Sequence, residues 1–381
     1  MRFSFPPADL PDSHGALRAD VRAFLRDARA AGRFVPHCSG WMVFDAAFSR
    51  LCGERGYIGM TWPKRFGGQE RSTIERYVVI EEMLAAGAPV GAHWIADRQS
   101  GPQIIANGSD VLKNELLPSI ARGEIYFAIG MSEPDAGSDL SSIRSRGERD
   151  AGGWRINGRK IWTTNGHLAH YMIGLFRTEP AQREQRHAGM TQLVVDLSAP
   201  GVTRSPIKDV TGGDDFAEIV FEDVFVPDDY VIGTPGQGWK LVTTELAYER
   251  SGPERFLSVF PLLSDAVDAF GGQSDAGVAR EIGRFMAHVS TLREMSISIA
   301  GRLARKEIPS TEAALVKDLG NALECEIPEI LRLLPGSAPR RVGSDYRTRL
   351  GDAIVAAPSF TLRGGTPEIL RGIIARELGL R

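Results

Sequence analysis

The chain has 381 residues, enough to bury a large core without disulfides or a structural metal. With 43% hydrophobic and 24% charged residues it has an ordinary globular composition, which excludes a disordered or fibrous protein. The net charge of -3 gives no global field that would attract nucleic acid or an anionic membrane, so any phosphate must be held by local groups.

The three cysteines form no CxxC pair and no metal-ligand spacing with the seven histidines. We therefore expect free thiols, a reducing compartment and no metal site. The N-terminal residues include prolines where a signal peptide needs an unbroken apolar run, and no apolar run approaches about 18 residues. These patterns predict a cytoplasmic protein that neither is secreted nor spans a membrane.

Residues 1–124 are predicted to form a helical domain. Ser72 followed by Glu75 has the spacing of a capping box and marks the start of one of its helices. Apolar residues recur at helical spacing over residues 15–32, 45–54, 72–86 and 99–121.

The hydrophobic period changes near Tyr126, and residues 125–232 are predicted to form a β-domain. Its strand-like segments are short and separated by Gly, Asp, Asn and Pro. They read YFAIGMSE, GWRINGRKIWTT, YMIGLFRT, TQLVVDL and AEIVFEDVFV.

Residues 233–381 return to helical periodicity and are predicted to form a third, helical domain. Its helical patterns cover residues 239–270, 277–306, 311–334 and 367–378. The order along the chain is therefore α, then β, then α.

Two segments of the β-domain could carry chemistry, and the P-loop, HExxH and GxGxxG motifs are absent. Residues 130–142, GMSEPDAGSDLSS, follow an apolar strand, and such a run of small residues exposes N–H groups that can hold an anion or a carbonyl. Ser132 and Ser138 add hydroxyls. Taken alone, the run is better explained as a turn with side-chain caps.

The second segment is GRKIWTTNG at residues 158–166. Period-two alternation predicts that Trp162 and Thr164 lie on the same face of a strand, where a ring face and a hydroxyl would suit a planar, polar-edged ligand. For this segment in isolation the favoured alternative is a core tryptophan beside a threonine that is present for its strand propensity.

Together these segments make the chain resemble an acyl-CoA dehydrogenase. GMSEPDAGSD matches the first signature of that family, and KIWTTNG matches its flavin-facing strand. The likeness continues through GYIGMTWPKRFGG, FEDVFVPDDYVIGTPGQGW and RGGTPEILRGIIARELGL. It implies an N-terminal helical domain, a middle β-barrel domain and a C-terminal four-helix bundle, which agrees with the α, β, α order.

The resemblance also implies FAD as cofactor. Met131 and Ser132 would contact the pyrimidine edge of the isoalloxazine, Trp162 would lie against the ring, and Thr164 would place its hydroxyl near flavin N5. The full implied cofactor set is Met131, Ser132, Gly137, Ser138, Trp162, Thr163, Thr164, Thr366 and Glu368.

The chemistry implied is α-proton removal from an acyl-CoA thioester by a carboxylate, with transfer of a β-hydride to the flavin, giving a trans-2-enoyl-CoA. Many family members carry that glutamate immediately before the Gly-Thr of the C-terminal loop, where this chain has Gly364. A smaller group resembling isovaleryl-CoA and long-chain dehydrogenases carries it on an earlier helix, and Glu249 of TTELAYERSGPER falls on that position.

Glu249 is therefore the predicted base, with Glu245 one turn earlier as the second choice. Ser138, Tyr248 and Arg250 are the predicted substrate contacts. Lipid oxidation, with an electron-transfer flavoprotein as acceptor, is the metabolic role that the resemblance implies.

The region before the last loop lacks the QxxGGxG segment with which homotetramers of the family close over a neighbour's FAD. The chain in this respect resembles bacterial branches in which two different subunits assemble, including those acting on sterol side chains. A tetramer is expected, with homo- and hetero-oligomers both open.

Two alternatives to the dehydrogenase remain. The first is a flavin monooxygenase on the same fold, against which the carboxylate at Glu249 argues, because oxygen activation needs no α-proton base. The second is a non-catalytic partner subunit that completes another chain's FAD site, against which the two flavin-facing motifs argue.

Overall fold

The computed structural model describes residues 3–8, 13–180, 184–270, 275–334 and 344–380. Along the chain, an N-terminal helical part, a middle β-sheet and a C-terminal helical region follow one another, which confirms the predicted fold class. Two units emerge from the packing, one of Met1–Trp41, Ser72–Pro89 and Leu246–Arg381, the other of Met42–Arg71 and Val90–Glu245. Because each unit joins separate stretches of sequence, the boundaries expected after residues 124 and 232 stay a prediction.

The helices are α1 Ser13–Ala30, α2 Ala46–Glu54, α3 Thr73–Ala85, α4 Gly91–Ile95, α5 Gly101–Asn107, α6 Asp110–Ala121, α7 Gly238–Glu249, α8 Phe260–Phe270, α9 Ala276–Ala304, α10 Ser310–Leu333, α11 Ser344–Ala356 and α12 Pro367–Glu377. A π-helical turn, Ala96–Ser100, joins α4 to α5. Within the described ranges no helix is both long and apolar enough to cross a membrane.

In the first unit, α1 and α9 are tied to α3 by ion pairs. Glu81 of α3 lies 2.7 Å from an Arg18 nitrogen and 2.6 Å from Arg293 Nε. The predicted capping box at the start of α3 is confirmed, since the Ser72 hydroxyl accepts the Glu75 N–H at 3.1 Å and the Glu75 carboxylate accepts the Ser72 N–H at 2.8 Å. These polar contacts fix the start and the packing of α3.

The second unit contains an eight-stranded sheet. Its strands are β1 Phe127–Gly130, β2 Arg146–Asp150, β3 Gly153–Thr164, β4 Tyr171–Arg177, β5 Met190–Asp196, β6 Val202–Ile207, β7 Phe216–Pro227 and β8 Val231–Ile232. They are ordered β6-β7-β3-β2-β4-β5-β8, with β1 parallel to β4. One face buries a core formed by Ala128, Trp154, Ile156, Met172, Phe176, Leu193, Val195, Ala217, Ile219, Phe221, Val224 and Val226.

Strands β2, β6 and β8 were not predicted from the sequence. β2 (RGERD) and β6 (VTRSPI) are mostly exposed and pair through their backbones, so they show no alternation of apolar and polar residues. β8 is only two residues long. An alternating pattern of apolar residues indicates a strand that buries one face, and none of these three strands has such a pattern.

The single helical pattern expected over residues 239–270 is wrong. The chain forms α7 and α8 there, separated by a short 3₁₀ turn at Pro253–Arg255. Pro253 has no N–H to donate into a preceding turn, and Gly252 before it is extended with ψ 165°, so the chain leaves the helix at this point. Apolar residues recur at helical spacing on both sides of the break, so the hydrophobic pattern of the sequence does not reveal it.

Two helical glycines test how tightly the first unit is packed. A Cβ at Gly283 in α9 would meet nothing within 4 Å, whereas a Cβ at Gly320 in α10 would come within 2.1 Å of the Arg255 carbonyl oxygen. We expect Gly283→Ala to raise the free energy of unfolding by up to about 1 kcal/mol, and Gly320→Ala to lower it by about 2 kcal/mol or more. Urea unfolding of both variants measures the difference, and equal effects would contradict the packing around Gly320.

Candidate active site

The signature loop, residues 130–142, leaves the sheet at the end of β1. Glu133 and Ala136 exchange backbone hydrogen bonds at 2.9 and 3.1 Å, which closes a tight turn. Further on, the Asp139 carboxylate accepts hydrogen bonds from the hydroxyls of Ser141 and Ser142 and from Arg186, and these lower the pKa of Asp139 below its usual range. The loop is therefore an ordered element with its own hydrogen bonds.

A buried ion pair lies beneath this loop. Lys160 of β3, whose side chain is fully buried, places Nζ 2.8 Å from Glu133 Oε1 and 3.2 Å from the Met131 carbonyl oxygen. Glu133 also accepts the N–H groups of Arg144 and Ser145 at 2.6 and 3.0 Å. One carboxylate thus joins the start of the signature loop, the segment after it and β3.

Burial and pairing oppose one another in this ion pair. Burial lowers the pKa of Lys160 to about 8, against the pull of Glu133. Burial acts to raise the pKa of Glu133, but the Lys160 charge and the hydrogen bonds outweigh it and leave that pKa below its ordinary value. Both groups are therefore charged at neutral pH.

Trp162 sits at a bulge in β3. Lys160 pairs with Ile219 of β7 and Thr163 pairs with Ala217, so β3 carries one residue more than β7 between these pairs. Trp162 takes φ +58°, a left-handed conformation that costs a bulky residue about 1–3 kcal/mol. The residue is 56% exposed.

Trp162 and Thr164 were predicted to share a face because side chains alternate along a strand, but the bulge interrupts that alternation. Simple alternation fails, because the extra residue resets the period. The ring of Trp162 contacts Phe216 edge-on with centroids 6.1 Å apart, and Phe216 is the cross-strand partner of Thr164. Trp162 and Thr164 therefore do share the open face, while the side chain of Thr163 is fully buried behind it.

The structure brings the two sequence motifs together. The Ile161 N–H donates to the Ser132 carbonyl oxygen at 2.9 Å, so Met131 and Ser132 lie beside the strand that presents Trp162. Gly137 and Ser138 are exposed at the far end of the signature loop. A contact from Thr163 to a ligand would have to come from its backbone, because its hydroxyl is buried.

In the other unit, the C-terminal loop, residues 363–366, is held by two buried cations. Gly364 and Gly365 both have positive φ, at +63° and +104°. Arg250 Nε donates to the Gly364 carbonyl at 3.1 Å, and Lys317 Nζ donates to the Gly365 carbonyl at 2.8 Å. Thr366 is the N-cap residue of α12, and a hydrogen bond from its side chain lowers the pKa of the exposed Glu368.

Comparison with known families decides the lineage of the chain. The N-terminal domain model of the acyl-CoA dehydrogenases matches residues 11–124, and the middle domain model matches residues 128–224. Together they cover more than half of the chain. The chain belongs to the acyl-CoA dehydrogenase family. It is therefore a member of a family of flavoprotein oxidoreductases, for which FAD is the implied cofactor.

Named relatives and a solved structure support the same placement. The chain is 31% identical over 354 residues to acyl-CoA dehydrogenase FadE29 of Mycobacterium tuberculosis, covering 86% of each chain. It is 33% identical over 350 residues to acyl-CoA dehydrogenase IpdE1 of Mycolicibacterium smegmatis, covering 88% of each. It matches a chain of the ChsE4-ChsE5 complex from Mycobacterium tuberculosis with TM-score 0.81, 28% identity and full coverage of both chains.

The predicted base lies outside the described side chains. The backbone of residues 244–249 forms the last turns of α7, but the side chains of Glu245, Tyr248 and Glu249 are not among those described. Their roles remain predictions. Arg250, predicted to contact substrate, is buried and bound to the C-terminal loop.

Sequence reasoning missed the buried cations Lys160 and Lys317. The available signal was a lysine within an otherwise strand-like run, GRKIWTT, and another within the apolar positions of α10. Lysine is almost never fully buried unless it is paired, so a lysine at a core position predicts a polar partner.

A third buried group lies in the same unit as the C-terminal loop. Glu324 of α10 accepts the Ser258 N–H at 2.7 Å, and burial raises its pKa to about 7 although Arg363 and Arg255 act to lower it. Arg363, the first residue of the C-terminal loop, packs its guanidinium over the Trp41 ring at 4.3 Å. The first residue of the loop is therefore coupled electrostatically to the buried Glu324.

The raised pKa of Glu324 makes stability depend on pH. Between about pH 4.5 and 7 the folded protein keeps a proton that the unfolded chain has released, so the free energy of unfolding falls as pH rises. Glu324→Gln cannot ionise. As the pH rises from 5 to 8, we expect the free energy of unfolding of this variant to increase relative to wild type by up to about 3 kcal/mol, as measured by thermal unfolding. A difference that does not change with pH would contradict the raised pKa.

Proposed function

We propose that the chain catalyses the α,β-dehydrogenation of an acyl-CoA thioester with bound FAD. The observation that carries the proposal is the juxtaposition of the signature loop and the bulged strand, joined by the Ile161–Ser132 hydrogen bond. It sets an exposed, left-handed Trp162 beside the backbone of Ser132. A ring face next to backbone polar groups suits a flat, polar-edged cofactor.

The residues present fit a flavin. Trp162 offers its ring on an open face, Thr164 shares that face, and the described residues give the Ser132 N–H no acceptor. When bound, FAD would supply the acceptor for the β-hydride. The task of these side chains is to hold and orient the ring system and to shield it from water on one side.

We further propose Glu249 as the base that removes the α-proton. Gly364 leaves the C-terminal loop without a carboxylate at the position used by many family members, and Arg250 and Lys317 bind that loop through its carbonyls. A carboxylate from α7 is the available replacement, with Glu245 one turn earlier as second choice. Ser138 and Tyr248 remain the proposed substrate contacts.

Glu249→Gln tests the base directly. The variant should bind FAD like wild type, yet flavin reduction by acyl-CoA under anaerobic conditions should slow by about 10²–10⁴-fold, because the proton has no acceptor. Stopped-flow absorbance of the flavin measures this rate against a panel of acyl-CoAs. Bleaching at the wild-type rate would remove Glu249 from the mechanism.

Two further variants complete that experiment. Glu294→Gln changes a 71%-exposed helix glutamate of α9 and should leave the rate unchanged. Loss of reduction in Glu245→Gln but not in Glu249→Gln would move the base to Glu245. Wild-type flavin that acyl-CoA cannot bleach without oxygen would favour the monooxygenase instead.

We also propose a hetero-oligomeric assembly, a tetramer built with a second, different dehydrogenase-like chain. Two observations support it: the sequence lacks the QxxGGxG segment, and the chain is similar over its full length to one from a two-chain complex. An electron-transfer flavoprotein is the proposed electron acceptor.

Flavin content tests the assembly. We expect the chain expressed alone to purify with partial or no flavin, and to become fully yellow when a dehydrogenase-like partner is co-expressed. Absorbance ratios and analytical ultracentrifugation report occupancy and mass. A fully flavinated tetramer of this chain alone would establish the homo-oligomer.

A further inference from the structure

Lys160 is the most completely enclosed charged group of the second unit's described core. Its side chain is fully buried, and its ammonium contacts the Met131 carbonyl, the Glu133 carboxylate and the Phe176 ring, whose centroid lies 5.3 Å away. No chemistry proposed above uses it. A buried lysine costs stability unless it is paired, so its contacts should explain why it is there.

One of those contacts fixes a peptide plane. The Met131 carbonyl and the Ser132 N–H belong to the same peptide unit, and in a planar trans peptide they point in opposite directions. Because Lys160 Nζ holds the carbonyl at 3.2 Å, the Ser132 N–H is directed away from the buried ammonium. The next carbonyl, that of Ser132, is held by the Ile161 N–H at 2.9 Å.

Both peptide units that flank Ser132 are thus held by β3, the strand that carries Trp162. Lys160 and Thr163 face the buried side, and the bulge between them turns Trp162 to the open side. Residues 160–162 therefore position the loop backbone through Lys160 and Ile161, and they present the exposed ring through Trp162.

We propose that Lys160 is a positioning residue of the flavin site, which aims the Ser132 N–H at the polar edge of the flavin by holding the Met131 carbonyl. Glu133 keeps the ammonium in place and anchors the loop through the Arg144 and Ser145 N–H groups. The inference rests on the proposed FAD-dependent function. It differs from a purely structural role because it ties Lys160 to the environment of the flavin and not to folding alone.

The test compares Lys160→Met, Glu133→Gln and the double variant, in whichever form purifies with flavin, alone or with its partner chain. The double variant removes both charges while keeping side-chain length and a Gln acceptor for the two N–H groups. Glu133→Gln alone keeps the Lys160 amine as a donor to Met131. Lys208→Met, which changes a 68%-exposed lysine paired with Asp214, is the matched control.

Four readouts are taken: thermal midpoint, FAD dissociation constant, visible circular dichroism of the flavin, and the rate of anaerobic reduction by acyl-CoA. We expect Lys160→Met to lose both stability and flavin affinity. The double variant should recover the thermal midpoint, yet keep an altered flavin dichroism, about tenfold weaker FAD binding and a reduction rate lower by about tenfold to a hundredfold. Glu133→Gln should lower the thermal midpoint but change the flavin dichroism less than Lys160→Met does, because the lysine can still donate to the Met131 carbonyl, and the control should keep a wild-type flavin spectrum.

A double variant with wild-type dichroism, affinity and rate would overturn the inference. So would a double variant that fails to fold while Glu133→Gln folds, because Lys160 would then serve folding alone. A wild-type protein that binds no FAD in any form would overturn the proposed function and this inference with it, so the two failures are distinguishable.

Discussion

The Lys160–Glu133 ion pair is the constraint on which the signature loop depends. It replaces water around two charges with each other, a carbonyl and two backbone N–H groups, so each charge is compensated inside the protein. Removing one partner of such a pair typically costs about 3–5 kcal/mol, since the other is left buried and alone. The pair therefore holds the signature loop in one conformation and ties it to β3.

The C-terminal loop is organised on the same principle within its own unit. Arg250 and Lys317 each donate to a carbonyl of a glycine with positive φ. In both loops a cation within the protein binds backbone oxygens, which fixes peptide orientation without occupying the exposed side of the loop. Loops that must present backbone groups to a ligand gain from such support, because a preorganised site loses less entropy on binding.

Much of the fold was predictable because burial leaves a periodic trace. The core strands β3, β4, β5 and β7 and the capping box at Ser72 follow from residue pattern alone. The exposed strand β6 and the break at Pro253 do not, since exposed strands lack alternation and apolar residues flank the break. The two motifs that the resemblance assigns to the flavin were found, but the sequence could not show the bulge, because an extra residue in one strand is defined only by its partner strand. It also could not show that Lys160 joins the two motifs.

The backbone at Gly364 bears on where a base can sit. With φ at +63° this residue is in the left-handed region, where a side chain with a Cβ costs about 1–2 kcal/mol, and Arg250 holds its carbonyl. A glutamate at this position would have to bear that cost or turn the peptide and break the Arg250 hydrogen bond. The conformation of the loop thus favours glycine at position 364, and glycine has no carboxylate to accept the α-proton of the proposed reaction. In the proposed dehydrogenation the carboxylate then comes from another element, and α7, whose last residue is Glu249, is the helix that the sequence resemblance favours.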